Sequence, residues 1–488
     1  MMSFADNCIV GDDGLAIARK FTSSVVGLLI ALLCLETSAS AETFSRHFDA
    51  IKKSATPKEI YQLLFDLPKG ADLHNHINLS IPAESWLVGA TDPKRTRGNQ
   101  FYTRIRFANC PNSKEPFVRF ETIQLSSYRR LSPCQQSEYA LLNNLNHEER
   151  EQWLSALKLD RPGEGRAEFF DYLGVRLGEL SKDPYLSFDL LVENLGRYKA
   201  EQVRYVETQL AGLRYYDRDG LMLPPERILR QLRERLQQAD AKATGVTMRF
   251  LATVVRFQPQ VEQQLAQAYA MVAQNRDLWV GINVAGKEEI PEGHGLRLLE
   301  TFRQLRRKYS AIPISIHAGE TPAPGHEVRT ALLLGASRIG HGINLLSDPD
   351  TLLLLRNNRY LVEINLISNT LLGYVPDPSK HPFPEYLRLG IPVCLNTDDR
   401  TAWDSNMTDE YFAAVTTFDL SWEEIVELGE ASLKHAFVDA DARAALLMQL
   451  QRDIAAFQKK YGGPDWQTKL RQVSPTISGY ARRTWRIN

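Results

Sequence analysis

Four short clusters in this chain combine side chains that bind metals and move protons: His74-Asn75-His76, His317-Ala318-Gly319-Glu320, His341, and Asp398-Asp399. In an extended segment residues i and i+2 point the same way, so His74 and His76 can offer two imidazoles to one ion. Taken singly, each cluster has an ordinary meaning. An HxH pair is more often two surface or hydrogen-bonded histidines, a lone His317 is a core or surface histidine, and Asp398-Asp399 is a turn or a helix N-cap. Taken together, His74, His76, His317 and Asp398 form a nitrogen and oxygen donor set that suits zinc and leaves room for a bound water. Such a water ionises near neutral pH, which supplies hydroxide without a strongly basic side chain. Glu320, three residues past His317, is placed to shuttle protons beside the metal, a contribution typically worth about 10² to 10⁴ in rate. The chemistry indicated is metal-assisted hydrolysis at an electrophilic carbon.

The elements that must hold these groups can be read from the apolar pattern. Eight short β-branched runs, 71–74, 203–210, 247–256, 278–284, 313–317, 337–339, 360–365 and 392–397, alternate with helical segments such as 295–310 and 327–334. That alternation is the signature of a parallel α/β fold, and eight units point to a (β/α)₈ TIM-type barrel more than to an open doubly wound sheet. The four clusters follow the first, fifth, sixth and eighth runs, the strand ends where such barrels gather their catalytic groups. Between the first two runs lie far more residues than one crossover helix needs, so 91–165 is expected to be an insertion on one barrel loop. Ser421-Trp422-Glu423-Glu424 has capping-box form and opens a helix to about Phe437. A further amphipathic helix at about 442–461 precedes a polar tail. The expected organisation is therefore a signal-peptide-like segment 1–41, a helical lead-in 42–70, a barrel 71–440 interrupted by the insertion, and a C-terminal helical extension 441–488.

Arg19-Lys20, an apolar run over 21–35 and Ala39-Ser40-Ala41 give residues 1–41 the form of a secretory signal peptide. The run is short for a membrane span, so cleavage before Glu42, export to periplasm or medium, and no lasting membrane anchor are expected. Loss of two basic and four acidic residues with this segment moves the formal charge from −1 to +1. No basic stripe or aromatic-interleaved Lys/Arg cluster marks a nucleic-acid polymer as a partner; a small, roughly neutral substrate fits better. With 43% hydrophobic and 24% charged residues, the 488-residue chain has the composition of a folded globular protein. In an oxidising compartment Cys110 and Cys134 could pair or remain two thiols, while Cys394 in an apolar run reads as buried.

The strings LHNH, HAGE, RIGHG and NTDD, in this order and spacing, resemble those of the adenosine deaminase family of metal-dependent hydrolases. The resemblance covers roughly 66–90 and 166–440. The PKG before LHNH is similar to the secreted, growth-factor-like branch, which also carries an insertion after its first strand. The resemblance implies one zinc per chain on His74, His76, His317 and Asp398. It also implies hydrolytic deamination of a purine nucleoside, adenosine or 2′-deoxyadenosine, to inosine-type product and ammonia. Glu320 takes the family position that protonates ring nitrogen 1 as hydroxide attacks carbon 6, and His341 the position that orients the hydroxide. Asp399 matches the residue that bonds the imidazole side of the purine, and Gly286 the glycine whose backbone meets ring nitrogen 3.

Three positions depart from the family pattern, and they bear on substrate rather than on reaction. Asn78 stands where many members hold the ribose hydroxyl with Asp, so the charge-assisted bond is lost. Asn283 replaces the Asp before Ala-Gly, and Arg400 the Pro after the double Asp. Phe169, Phe170 and Tyr172 could wall the base, although aromatics at helical spacing are more often plain core. Alternatives are an aminohydrolase acting on another purine base or a modified adenosine, and an extracellular binding protein that keeps the barrel as scaffold. The intact site argues against the binding protein. The H-x-E and P-C-x-x-C signature of the other zinc deaminases is absent, as is a G-x-S-x-G serine elbow.

Overall fold

The computed structural model describes residues 44–111 and 116–488, so the expected signal peptide lies outside the described residues. The chain divides into two units between Ser54 and Ala55. In the first, residues 44–54 are helical. The second contains eleven described strands: β1 Gly70–His76, β2 Phe101–Arg104, β3 Thr122–Gln124, β4 Tyr139–Leu141, β5 Val203–Leu210, β6 Thr247–Val255, β7 Trp279–Ala285, β8 Ile314–Ala318, β9 Arg338–His341, β10 Leu361–Ile364 and β11 Val393–Leu395.

Eight of these form one sheet in the order β1-β5-β6-β7-β8-β9-β10-β11, every neighbouring pair parallel. Helices cover its strands from outside, and all seven residues of β7 are buried. A strand covered on both faces has no reason to alternate polar with apolar residues, which is why the runs read as near-continuous hydrophobic stretches. The eight strands make a (β/α)₈ barrel of TIM type. Its seam is a single parallel bridge, Asn75 to Asp398, in which Asp398 N donates to His74 O at 2.9 Å and His76 N donates to Asp398 O at 3.2 Å. Closing the barrel therefore brings the first histidine cluster against the last aspartate.

The insertion holds more order than a loop elaboration. Strands β3, β2 and β4 form a small antiparallel sheet, and a disulfide joins Cys110 to Cys134. Trp86, Phe101, Phe120, Leu142, Trp153 and Leu157 belong to one buried cluster with Leu186 and Leu190. The latter pair lies on helix Pro184–Ala200, so the insertion shares a core with the helix that leads into β5. Several boundaries differ from expectation. β9 continues to His341 instead of ending at 339, and β11 stops at Leu395, two residues short of the expected run, with the backbone in the left-handed region at Asp398, φ 51°. The helix opened by the Ser421 capping box, Trp422–Lys434, ends before Phe437. Helix Ala440–Tyr461 is present, but the expected polar tail contains two short helices, Trp466–Leu470 and Gly479–Trp485, held by the buried side chains of Trp466, Leu470 and Tyr480. No helix among the described residues is long and apolar enough to cross a membrane.

Candidate metal and active site

At the C-terminal mouth of the barrel, two overlapping groups could hold a metal ion: His74, His317 and His341, and His74, His76 and Asp398. The ring centres of His74 and His317 are 4.4 Å apart, those of His74 and His341 5.0 Å, and those of His76 and His317 5.7 Å. Asp398 Oδ1 lies 3.1 Å from His76 Nε2 and 3.6 Å from His74 Nε2. His74 Nε2 and His317 Nδ1 are buried and have no hydrogen-bond partner among the described residues. An orphaned buried nitrogen is costly, and two of them beside a carboxylate form a donor set with the chemistry of a zinc site.

His74 and His341 are held from behind. Glu363, on β10, accepts from His74 Nδ1 at 2.8 Å, which fixes that ring's proton on Nδ1 and leaves Nε2 free toward the cluster. Glu363 in turn accepts from Ser315 Oγ at 3.0 Å and pairs with Arg338 at 2.6 Å. Arg338 also pairs with Glu207 at 2.7 Å and lies over the Phe437 ring. All of these charged groups are fully buried. Burial alone would raise the Glu363 carboxyl, but Arg338 and the His74 bond hold it below its ordinary value, ionised. Gly340 permits the closest approach: a Cβ there would lie 2.8 Å from His74 Cε1 and 3.2 Å from His317 Cα. His341 sits at φ 65°, and Gly342 N bonds back to Gly340 O at 2.9 Å. This three-residue turn centred on a non-glycine residue is rare and strained, and it aims the ring into the barrel mouth. His341 Nδ1 faces the side-chain amides of Asn365 and Asn369, at 3.2 and 3.1 Å.

Glu320 stands opposite, its Oε1 3.7 Å from His341 Nε2. Burial, with the neighbouring carboxylates of Asp398 and Glu288, pushes the Glu320 carboxyl well above the usual range. Glu288 accepts from the backbone N–H groups of Gly319 and Glu320 at 3.2 and 3.1 Å and pairs with Arg256. Arg256 also donates to His317 O. Burial lowers His317 well below its ordinary value and takes His341 down to about 3, leaving both rings neutral. Burial also opposes a charge on His76, but Asp399, Asp398 and Glu320 outweigh it and raise that ring to about 9. Asp399 is raised by burial and by the adjacent Asp398, and its Oδ1 is buried without a partner among the described residues. The protein thus juxtaposes the neutral imidazoles of His317 and His341, a buried aspartate and a carboxyl group with a raised proton affinity, the ingredients of acid-assisted hydrolysis.

The remaining candidates are less tightly gathered. Gly286 follows β7 at φ 103°, where a Cβ would meet the Phe257 ring at 2.8 Å. The Oδ1 of Asn78 is buried without a partner among the described residues, while its backbone oxygen accepts from Trp86 Nε1. Asn283 is buried and its amide donates to Ser315 O at 3.4 Å, on the neighbouring strand. Arg400 pairs with Glu201 and lies over the Tyr198 ring, so it packs as a buried ion pair. Phe169 belongs to a π-helical turn, 169–173, and stacks on Trp403 with ring centres 5.0 Å apart, which makes it in part core. Sequence reasoning passed over Glu363, Arg338, Glu207, Glu288, Asn365, Asn369 and His381. A carboxylate inside the apolar run of β10 was the available signal, since a buried charge demands a partner.

Fold and site define a metal-dependent hydrolase on a (β/α)₈ barrel. The adenosine deaminase family model matches residues 151–453, a stretch that leaves β1 and its two histidines outside. The chain is 31% identical over 252 residues to an adenosine deaminase of Enterococcus faecalis, covering 51% of this chain and 71% of that protein. It is 32% identical over 231 residues to an adenine deaminase of a Chelativorans species, covering 47% and 69%. Among solved structures, Arabidopsis ADAL complexed with IMP superposes with a TM-score of 0.59 at 18% identity, over 81% of this chain and 99% of that one. An amidohydrolase from Burkhoderia ambifaria with bound Zn superposes with a TM-score of 0.57 at 18% identity, over 82% and 93%; both likenesses concern the fold. The chain belongs to the adenosine deaminase family, metal-dependent hydrolases acting on purine carbon–nitrogen bonds.

Proposed function

We propose that this protein is an exported, zinc-dependent aminohydrolase that converts adenosine and 2′-deoxyadenosine, with one water, to inosine or 2′-deoxyinosine and ammonia. The observation that carries the reading is the placement of Glu320, its Oε1 3.7 Å from His341 Nε2, beside two buried imidazole nitrogens, His74 Nε2 and His317 Nδ1, without partners among the described residues. His74, His76, His317 and Asp398 are the residues that would hold zinc, a nitrogen and oxygen set of the kind that ion prefers. When bound, zinc supplies a nucleophilic hydroxide near neutral pH.

The chain's own groups do the rest. Glu320 gives its proton to ring nitrogen 1 as carbon 6 is attacked, which places the developing negative charge on a neutralised ring. His341 directs its Nε2 at the attacking oxygen. The carboxylate that Glu320 becomes then recovers the proton from that oxygen, and the amino group leaves as ammonia once protonated. Asp399, with its carboxyl raised by burial and Asp398, is suited to bond the imidazole side of the base. Gly286, free of a side chain beside Phe257, lets the backbone reach ring nitrogen 3, and Asn78 faces the sugar end.

A second reading, an aminohydrolase for adenine or for adenosine monophosphate, draws on Asn78, a neutral amide where a carboxylate would hold a ribose hydroxyl. An ultraviolet assay of purified, zinc-loaded protein across adenosine, 2′-deoxyadenosine, adenine, adenosine monophosphate and guanosine separates the two. Adenosine and its deoxy form should have the highest kcat/KM. Preference for adenine or the monophosphate would establish the second reading, and no turnover of any of them would favour a binding protein on a deaminase scaffold.

A further inference from the structure

We propose that His381 and Asn369 fix the tautomer of His341, and so decide that His341 meets the reacting water as a hydrogen-bond donor instead of joining the metal as a ligand. The inference rests on the role given to His341 above. The backbone N–H of Phe383 lies 3.1 Å from His381 Nδ1. A peptide N–H only donates, so His381 Nδ1 carries no proton, and the ring's single proton is on Nε2. Burial supports this neutral form, lowering the His381 imidazole to about 3. His381 Nε2 lies 3.0 Å from Asn369 Oδ1, so Asn369 presents its oxygen to His381 and its NH₂ group to the other side. That NH₂ group is 3.1 Å from His341 Nδ1. His341 Nδ1 must therefore accept, and its proton is on Nε2, the nitrogen that faces Glu320 at 3.7 Å.

All three side chains are buried, so no water competes for these positions. Asn365 contributes a second N–H at 3.2 Å from the same His341 nitrogen. Its own oxygen has no partner among the described residues, so Asn365 does not fix its own orientation, and the relay through Asn369 does. The opposite tautomer of His341 would set its Nδ1–H against two N–H groups in a buried site, each left unsatisfied. The consequence resolves an ambiguity of the cluster. His341 lies within ligand reach of His74 and His317, yet a protonated Nε2 has no lone pair for an ion. His74 differs because Glu363 takes its Nδ1 proton and leaves Nε2 bare. Two histidines a few ångströms apart are thus assigned opposite tasks by what stands behind them, a carboxylate or an amide.

The test is a long-range ¹H–¹⁵N spectrum of zinc-loaded, ¹⁵N-histidine-labelled protein, with the His341 signals assigned by their loss in His341→Asn. Nδ1 should resonate as a bare acceptor nitrogen and Nε2 as a protonated one. In Asn369→Asp an acceptor replaces the donor; His341 Nδ1 should become protonated, and kcat should fall by about 10² to 10³ with KM within a few-fold and zinc content unchanged. His381→Gln, which keeps an N–H toward Asn369, should retain the His341 signature and most of kcat, whereas His381→Leu should lose both. A protonated Nδ1 in the unaltered protein, or Asn369→Asp with the original signature, would overturn the proposal. Should His341→Asn turn over substrate at the full rate while the signatures behave as stated, the role of His341 falls and the relay stands.

Discussion

Replacing Glu363 by glutamine removes one negative charge from the barrel interior with almost no change of shape. Glu363 holds three partners, His74 Nδ1 at 2.8 Å, Ser315 Oγ at 3.0 Å and Arg338 at 2.6 Å, and is fully buried. Removing one partner of a buried ion pair costs about 3–5 kcal/mol. Arg338 keeps Glu207 at 2.7 Å, which places the loss near the lower end, about 3 kcal/mol, a large part of a total of roughly 5–15 kcal/mol. The glutamine oxygen can still accept from His74, but as a weaker, neutral acceptor. Loss of such an outer partner lowers metal affinity about 10- to 100-fold, or roughly 1.4–2.7 kcal/mol. Chelator competition reads the second quantity, and urea unfolding of metal-stripped protein reads the first. Reduced stability with metal affinity within twofold of the original would refute the reasoning that Glu363 tunes His74 as a ligand.

Lys69 is fully buried, its Nζ donating to the carbonyls of Phe65, Leu67 and Glu201, and burial lowers it to about 7. Between pH 7 and the ordinary lysine value of about 10.4 the unfolded chain binds more protons than the folded one, so stability should rise with pH by up to about 1.4 kcal/mol per unit. Urea unfolding of Lys69→Met at pH 7.5 and 9.5 should show this rise abolished; an unchanged slope would contradict it. Gly340→Ala would set a methyl 2.8 Å from His74 Cε1, on a ring that Glu363 holds in place. Metal affinity should drop at least about tenfold by chelator competition, the scale of other disturbances to ligand orientation, and unaltered affinity would show that the ring yields. The Cys110–Cys134 bridge spans 24 residues of the insertion. Serine at both positions should lower thermal stability by about 3 kcal/mol while leaving metal content intact, and loss of metal would tie the insertion to the site.

Each of the eight expected runs overlaps a strand of the barrel, and those buried on both faces, such as Trp279–Ala285, read as near-continuous apolar stretches, whereas β1 and β5 carry several polar residues. The strands of the insertion were not legible, since β2, β3 and β4 have only 3–4 residues, too few for any period to emerge. The metal-binding groups could be picked out as types at strand ends, but what holds them could not. Glu363, Arg338 and Glu207 come from three strands, and only the register of the closed barrel reveals that they meet. What positions Asp398, the seam bridge between the first strand and the residues after the last, appears only when the barrel closes. His381 and Asn369 lie twelve residues apart around a 3₁₀ turn, Pro378–Lys380, with no local pattern that marks them as partners. Within the C-terminal extension the two short helices had no pattern to mark them, because Trp466, Leu470 and Tyr480 are isolated in sequence and buried by packing.

The most direct test of the central claim sets the unaltered protein beside Glu320→Gln, measuring zinc per chain and ammonia release from adenosine on the same samples. Both should carry about one zinc per chain, the unaltered protein should release ammonia with formation of inosine, and the variant should be slower by at least about 10²-fold. Full activity in Glu320→Gln, or no zinc in either protein, would contradict a zinc centre that works with Glu320 as its proton donor.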